Sequence, residues 1–162
     1  MRIVLINPDI PWNAGNIGRT CVATGTELVF AGKLGFRLDS KEIRRSGLDY
    51  WQYLKYSVYK DLDGFLKTLG DEPRTFSKRA KVRGEPSLIF LSTRGKKSYW
   101  EAPYKKDSCL IFGSEGAGLP HAMYEKYAAK LYRIPMSCGH TRSLNLSTAA
   151  GVVLYEALRQ TR

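Results

Sequence analysis

Residues Ile134 to Gln160 read IPMSCGHTRSLNLSTAAGVVLYEALRQ, a polar loop carrying Arg142, Ser143 and Asn145 that runs straight into an apolar-striped helix. In the helix, Leu146, Ala150, Val153 and Ala157 recur at helical spacing with Leu154 and Leu158 beside them, so one wide face is apolar. Such a face is wide enough to cover its own sheet and a partner subunit. Upstream lie short continuous apolar runs: Ile3 to Ile6, Leu28 to Phe30, Leu88 to Leu91 and Cys109 to Phe112, each ending near Gly, Pro, Asn or Ser. Runs of this kind suit strands buried on both faces, the habit of a parallel sheet covered by helices. Helical spacing or end signals mark Ile17 to Ala23, Asp61 to Leu69 with Gly70 as a stop, Pro120 to Ala129, and Asn145 to Gln160. The order is that of an α/β fold.

The chain has 162 residues, 43% of them hydrophobic, which fits one domain with one core and leaves no room for a second. Its formal charge of +11 and pI near 9.7 favour a polyanionic partner, nucleic acid first. Cys21, Cys109 and Cys138 lack disulfide or zinc spacing, which fits a reducing, cytoplasmic compartment. Asn7, Pro8 and Asp9 cut off the first apolar run before it could form a signal-peptide core. No later run approaches the roughly 20 residues that cross a bilayer, so a membrane role is not expected. Lys78 to Pro86, KRAKVRGEP, reads as an exposed basic loop, either solvated or in contact with RNA. The aromatics among Tyr50 to Tyr56 and at Tyr99-Trp100, mixed with Lys, either stack bases or roof the core, and core or interface packing is expected for most of them.

Three polar stretches carry the candidate chemistry. In the first, Asn13-Ala14-Gly15-Asn16-Ile17-Gly18-Arg19, Arg19 offers a forked cation for a phosphate or a surface salt bridge, and Asn13 and Asn16 are candidates to cap a helix that starts at Ile17. In the second, Ile111 to Pro120, Gly113, Gly116 and Gly118 follow a buried strand, as a tight turn or a cofactor loop would require. Glu115 among them can receive a ribose hydroxyl or fix a neighbouring loop through backbone N–H groups. The spacing is neither the dinucleotide fingerprint nor a phosphate loop, which disfavours a nucleotide-dependent oxidoreductase. In the third stretch Asn145 is a cap or a site residue. Ser143 has only His121 and His140 as possible bases and no nucleophile elbow, so a Ser-His hydrolase is not indicated. The two histidines also lack metal-ligand spacing.

NAGNIGRT (Asn13 to Thr20), IFGSEGAGLP (Ile111 to Pro120) and IPM with RSLNLS (Ile134 to Met136, Arg142 to Ser147), ending in YEALRQ, together resemble the SPOUT superfamily of knotted methyltransferases. More narrowly they resemble its small TrmL/YibK-like group, which acts on the wobble nucleotide of tRNA. The resemblance implies a single-domain parallel-sheet fold with helices on both faces, a C-terminal deep trefoil knot and no separate RNA-binding domain. It also implies a homodimer that binds S-adenosylmethionine without a metal. The activity implied is 2′-O-methylation of the wobble cytidine or modified uridine in tRNA. Cofactor contacts carry over to Leu91, Gly113, Ile134, Met136, Ser143 and Leu144. Functional positions carry over to Arg19, Asn13, Glu115, Ser143 and Asn145, with Arg19 nearest the chemistry. Because a guanidinium stays protonated, its expected role is to align the ribose or phosphate and stabilise developing alkoxide charge.

Two features depart from the narrow group: five residues, SCGHT, between Met136 and Arg142, and Gly116-Ala117 in the middle motif. GSEGAGL resembles the broader branch acting on tRNA and ribosomal RNA, which keeps another tRNA or ribosomal RNA nucleotide as the alternative target. A non-catalytic RNA-binding protein on the same fold is the alternative of another class.

Overall fold

A computed structural model describes residues 1–38, 50–71 and 86–162. Apart from Pro86, the basic KRAKVRGEP stretch lies outside the described residues. Among the described residues, seven strands form one sheet: β1 Arg2–Ile6, β2 Glu27–Ala31, β3 Tyr56–Tyr59, β4 Leu88–Leu91, β5 Lys97–Ser98, β6 Cys109–Phe112 and β7 Leu131–Arg133. They are arranged β3-β2-β1-β6-β4-β7-β5, and every pairing is parallel. The α-helices among the described residues are α1 Pro11–Thr24, α2 Leu62–Asp71, α3 His121–Lys126 and α4 Leu146–Thr161.

Strand register explains why the central runs are apolar at every position. Leu5 pairs with Phe30 and Phe112, and Leu91 with Phe112 and Tyr132, so these five side chains form a row across one face. That row joins Ala14, Ile17 and Cys21 of α1 and Ala150, Val153, Leu154 and Ala157 of α4 in one buried cluster. One residue earlier, Val4, Val29, Ile111, Phe90 and Leu131 form the matching row on the opposite face. This second row packs with Leu62 and Phe65 of α2, and Met123 and Tyr124 of α3 border it. Helices therefore cover both faces, and each fully buried aliphatic side chain contributes about 1.5–3 kcal/mol.

The expected apolar stripe of α4 is buried at Ala150, Val153, Leu154 and Ala157, with Leu146 and Leu158 packed at its edge. Two helix boundaries differ from expectation. α1 begins at Pro11 rather than Ile17, with Ile10 at its N-cap and no side-chain cap, so Asn13 and Asn16 lie inside the helix and cap nothing. Proline explains the early start, because its φ is already helical and its missing N–H is one the first turn leaves unbonded anyway. Gly25, in the left-handed region at φ 67°, ends the helix and donates its N–H back to it. α2 runs one residue beyond Gly70 to Asp71. The segment expected as one helix from Pro120 to Ala129 is α3 followed by a 3-10 turn at Ala128–Lys130.

Strands β3, β5 and β7 do not carry the apolar signature of the centre. β3 lies at one edge with Tyr56 and Val58 exposed. β5 and β7 are only two and three residues long. Among the described residues, no helix is long and apolar enough to cross a membrane, and no cluster of His, Cys, Asp or Glu could hold a metal. Cys21 and Cys109 are buried, Cys138 is exposed, and all three are free.

Candidate active site

Strands β1, β6, β4 and β7 are neighbours in the sheet and point the same way, so the segments that follow them emerge side by side at one edge. Ligands bind parallel α/β sheets at this edge. These segments carry the first motif after β1, the Ser92 to Gly95 turn after β4, the glycine turn after β6, and the Ile134 to Asn145 loop after β7.

The glycine turn is closed by two backbone hydrogen bonds. Ser114 N–H donates to the Gly118 carbonyl at 3.1 Å, and Gly118 N–H donates to that of Ser114 at 2.9 Å. Gly118 sits at φ 71°, where a side chain would strain the backbone. At Gly113 a Cβ would collide with the backbone of Gly118 and Leu119. Here the glycine is required by the turn's own close packing, and the turn presents Glu115, Gly116 and Ala117 at its tip.

Glu115 reaches from that tip to the start of α1. Its carboxylate accepts from Asp9 N–H at 2.8 Å, Ile10 N–H at 3.3 Å and Asn13 Nδ2 at 2.8 Å. A carboxylate at a helix N-terminus also meets the positive end of the helix dipole. Asn13, a buried polar residue, is thus fixed by its amide nitrogen and uses Oδ1 to accept from Asn145 Nδ2 at 2.9 Å. Asn145 in turn caps α4, its Oδ1 accepting from Ser147 N–H at 2.9 Å and Thr148 N–H at 3.3 Å. The three motifs meet in one hydrogen-bonded chain, Glu115–Asn13–Asn145. Glu115 takes the loop-fixing option open to it in the sequence, and Asn145 is both a cap and a member of the network.

Beside this chain opens a cleft of about 770 Å³, within the usual range for small-molecule sites. Leu91, Gly113, Ile134, Met136, Ser143 and Leu144, the six expected cofactor positions, all line it. So do Asn13, Glu115 and Asn145. Arg19 does not. It is exposed on α1, with its guanidinium 5.5 Å from the centre of the Tyr50 ring, while the Tyr50 hydroxyl donates to the Gly15 carbonyl at 3.1 Å. Burial pushes the Tyr50 phenol above its usual pKa, and the Arg19 charge opposes that shift.

The sequence reading missed Ser92, Arg94 and Tyr124, which also line the cleft. Ser92 Oγ and Tyr124 Oη are 3.2 Å apart, and the Arg94 guanidinium lies 4.8 Å from the Tyr124 ring centre. The available signal was positional: Ser92-Thr93-Arg94-Gly95 follows a buried strand at the same sheet edge as the three motifs. Gly95 is tight against the Tyr132 backbone, and Ser92 N–H donates to the Tyr132 carbonyl at 2.9 Å, so this turn is held against β7.

Fold and site define an α/β protein with a ligand cleft at the carboxyl edge of its sheet, built around a glycine turn rather than a dinucleotide or phosphate loop. The chain belongs to the SpoU rRNA Methylase family, whose model matches residues 1–155. A Synechocystis protein provisionally named a tRNA (cytidine(34)-2′-O)-methyltransferase is 39% identical over 163 aligned positions, covering 100% of this chain and 97% of its own. A solved structure described as giving insight into 2-OH methylation of C/U34 on tRNA superposes with a TM-score of 0.81 at 38% identity, over 98% of this chain and 94% of that one. An AdoMet-bound rRNA methyltransferase from Sinorhizobium meliloti gives a TM-score of 0.77 at 26% identity, over 98% of this chain but 56% of its own.

Proposed function

We propose that this protein is an S-adenosylmethionine-dependent methyltransferase of the ribose 2′-hydroxyl at the wobble nucleotide of tRNA. In this reading it works as a cytoplasmic, single-domain homodimer with a knotted C-terminal part. The observation that carries the reading is the Glu115–Asn13–Asn145 chain, which gathers three distant motifs at one cleft. The full-length relatives named for position 34 support the tRNA target.

The residues present fit the cofactor. Leu91, Ile134 and Leu144 offer apolar walls for an adenine, and the glycine turn lines the same cleft. When bound, S-adenosylmethionine supplies an electrophilic methyl, whose bond to sulfur breaks as the ribose oxygen bonds to carbon and the hydroxyl proton is released. Glu115 and Asn13 are positioning residues in this scheme, because their hydrogen-bonding groups are spent on each other and on the loops. Ser143, exposed on the cleft wall, remains available to an incoming ribose. Arg19 aligns the ribose or phosphate and stabilises developing negative charge on oxygen.

Arg19 lies outside its own protomer's cleft, which supports a dimer in which it serves the partner's. Both helices covering this face carry outward apolar groups, Trp12 on α1 and Val152 and Tyr155 on α4, consistent with an interface there.

The test incubates the protein with labelled S-adenosylmethionine and unmodified total RNA at low salt and maps the methylated nucleotide. Label on the wobble ribose of tRNA is the expected result. Label on ribosomal RNA or another tRNA site would move the target, and no transfer to either RNA would overturn the reading. Arg19→Ala is expected to cut turnover about 10²–10³-fold while leaving S-adenosylmethionine affinity unchanged. Equal loss of cofactor affinity would show that Arg19 belongs to the cofactor site.

A further inference from the structure

A second, smaller cavity of about 330 Å³ adjoins the cleft and shares with it the glycine turn, Arg94 and Tyr124. Its remaining polar lining among the described residues comes from Asn7, Ser114 and His121, and no described Asp or Glu lines it. Two of these groups are held in place and offer donors.

Arg94 is exposed yet restrained: its guanidinium stacks on Tyr124, whose hydroxyl meets Ser92, and its backbone N–H donates to Ser92 Oγ at 3.2 Å. Among the described residues it has no carboxylate partner. Asn7 is fixed by its backbone and its side chain. It is the one non-glycine in the left-handed region among the described residues, at φ 47°. Its Oδ1 accepts from Lys33 N–H at 2.9 Å, and a side chain at position 32 would collide with it. That bond commits the oxygen, so the amide nitrogen of Asn7 is a donor left for a cavity ligand.

A restrained guanidinium and an oriented amide N–H, with neither a carboxylate partner nor a lining acid among the described residues, make a receptor for an oxyanion with several acceptor oxygens. We propose that this cavity is a phosphate subsite that takes an RNA phosphodiester flanking the target nucleotide, with Arg94 as its charged contact. The inference rests on the RNA methyltransferase reading, and it gives the cleft a grip on substrate separate from Arg19. A phosphate held there fixes the register of the strand and carries no base information.

The experiment measures binding of an unmodified tRNA transcript across a salt series, and binding of S-adenosylhomocysteine by calorimetry, for wild type, Arg94→Gln and Arg94→Lys. Arg94→Gln is expected to bind tRNA roughly tenfold more weakly at about 50 mM salt and to lose about 0.7–0.9 from the slope of log K against log salt, as for one lost phosphate contact. Arg94→Lys is expected to keep the slope while recovering only part of the affinity, because its point charge lacks the planar fork. S-adenosylhomocysteine affinity and thermal midpoint should match wild type in both variants.

An unchanged slope in Arg94→Gln overturns the proposal, as does a loss of S-adenosylhomocysteine affinity matching the loss for RNA, which would assign Arg94 to the cofactor's carboxylate. A wild type that transfers no methyl while Arg94→Gln still loses the slope would sink the enzymatic reading and leave the phosphate subsite standing. A wild type that does not bind tRNA sinks both.

Discussion

Glu115→Gln tests whether the carboxylate organises the site or meets the substrate. It is nearly isosteric, so its cost comes from hydrogen bonding and charge. One oxygen now accepts from Asp9 N–H, and the other from Ile10 N–H and Asn13 Nδ2. A glutamine retains one acceptor, and its best orientation keeps the two donors on one oxygen while turning its NH₂ toward Asp9 N–H. The variant loses one hydrogen bond, worth about 1 kcal/mol net, and a negative charge at the start of α1, worth about 0.5 kcal/mol at a half-exposed position. A loss of about 1.5 kcal/mol lowers the thermal midpoint of a chain this size by about 3–6 °C.

The assay is thermal unfolding followed by circular dichroism at fixed protein concentration, paired with methyl transfer to tRNA. The expected variant is less stable and slower, with both defects arising from a loosened junction between the first and second motifs. A midpoint within about 1 °C of wild type together with abolished transfer would refute the reasoning, because Glu115 would then act on substrate and not on the loops.

Gly113→Ala places a methyl against the backbone of Gly118 and Leu119, so overpacking costs about 3 kcal/mol or more and S-adenosylhomocysteine binding falls with it. Gly116→Ala, where a Cβ meets only Asp9 Oδ2 at 3.9 Å, is expected to melt like wild type, and equal damage from both substitutions would refute the assignment of the constraint to Gly113. A pH dependence follows from Glu156, whose carboxyl is held down to about 2 by hydrogen bonds first from Arg159 and then from Gln160. Because its folded pKa is depressed, its stabilising contribution is present above the unfolded value near 4.3 and fades as pH falls toward 2. Urea midpoints of wild type and Glu156→Gln should differ at pH 6 and converge near pH 2, and a difference independent of pH would contradict the assignment.

How much of this was legible in the sequence depends on burial. Ile3 to Ile6, Leu28 to Phe30, Leu88 to Leu91 and Cys109 to Phe112 announce themselves because central strands covered on both faces are apolar at nearly every position. Tyr56–Tyr59 at an edge, and the very short β5 and β7, owe their pairing to neighbours, so their own residues carry little signal. The start of α1 is set by Pro11, a weaker signal in the sequence than the cap-like Asn13 and Asn16 that follow it. Asn13 shows what local reading cannot supply: its partners lie 102 and 132 residues away. Motif resemblance found Asn13, Glu115 and Asn145 one by one, but only the sheet order makes them neighbours.

Arg94 escaped for a different reason. It belongs to no glycine-rich motif, and it becomes notable only when β4 is seen between β6 and β7 with its carboxyl end facing the cleft. The same geometry separates two cations that charge counting treats alike. Arg94 stands at its own protomer's cleft on Tyr124, whereas Arg19 stands on the outer side of α1 near Tyr50. If a second subunit brings Arg19 to the cleft, the two substitutions should behave differently in mixed dimers. An Arg19→Ala chain paired with an Arg94→Gln chain places both intact cations at one of the two clefts and neither at the other. That heterodimer should regain about half the wild-type transfer, whereas two cations acting within one chain would leave no cleft complete.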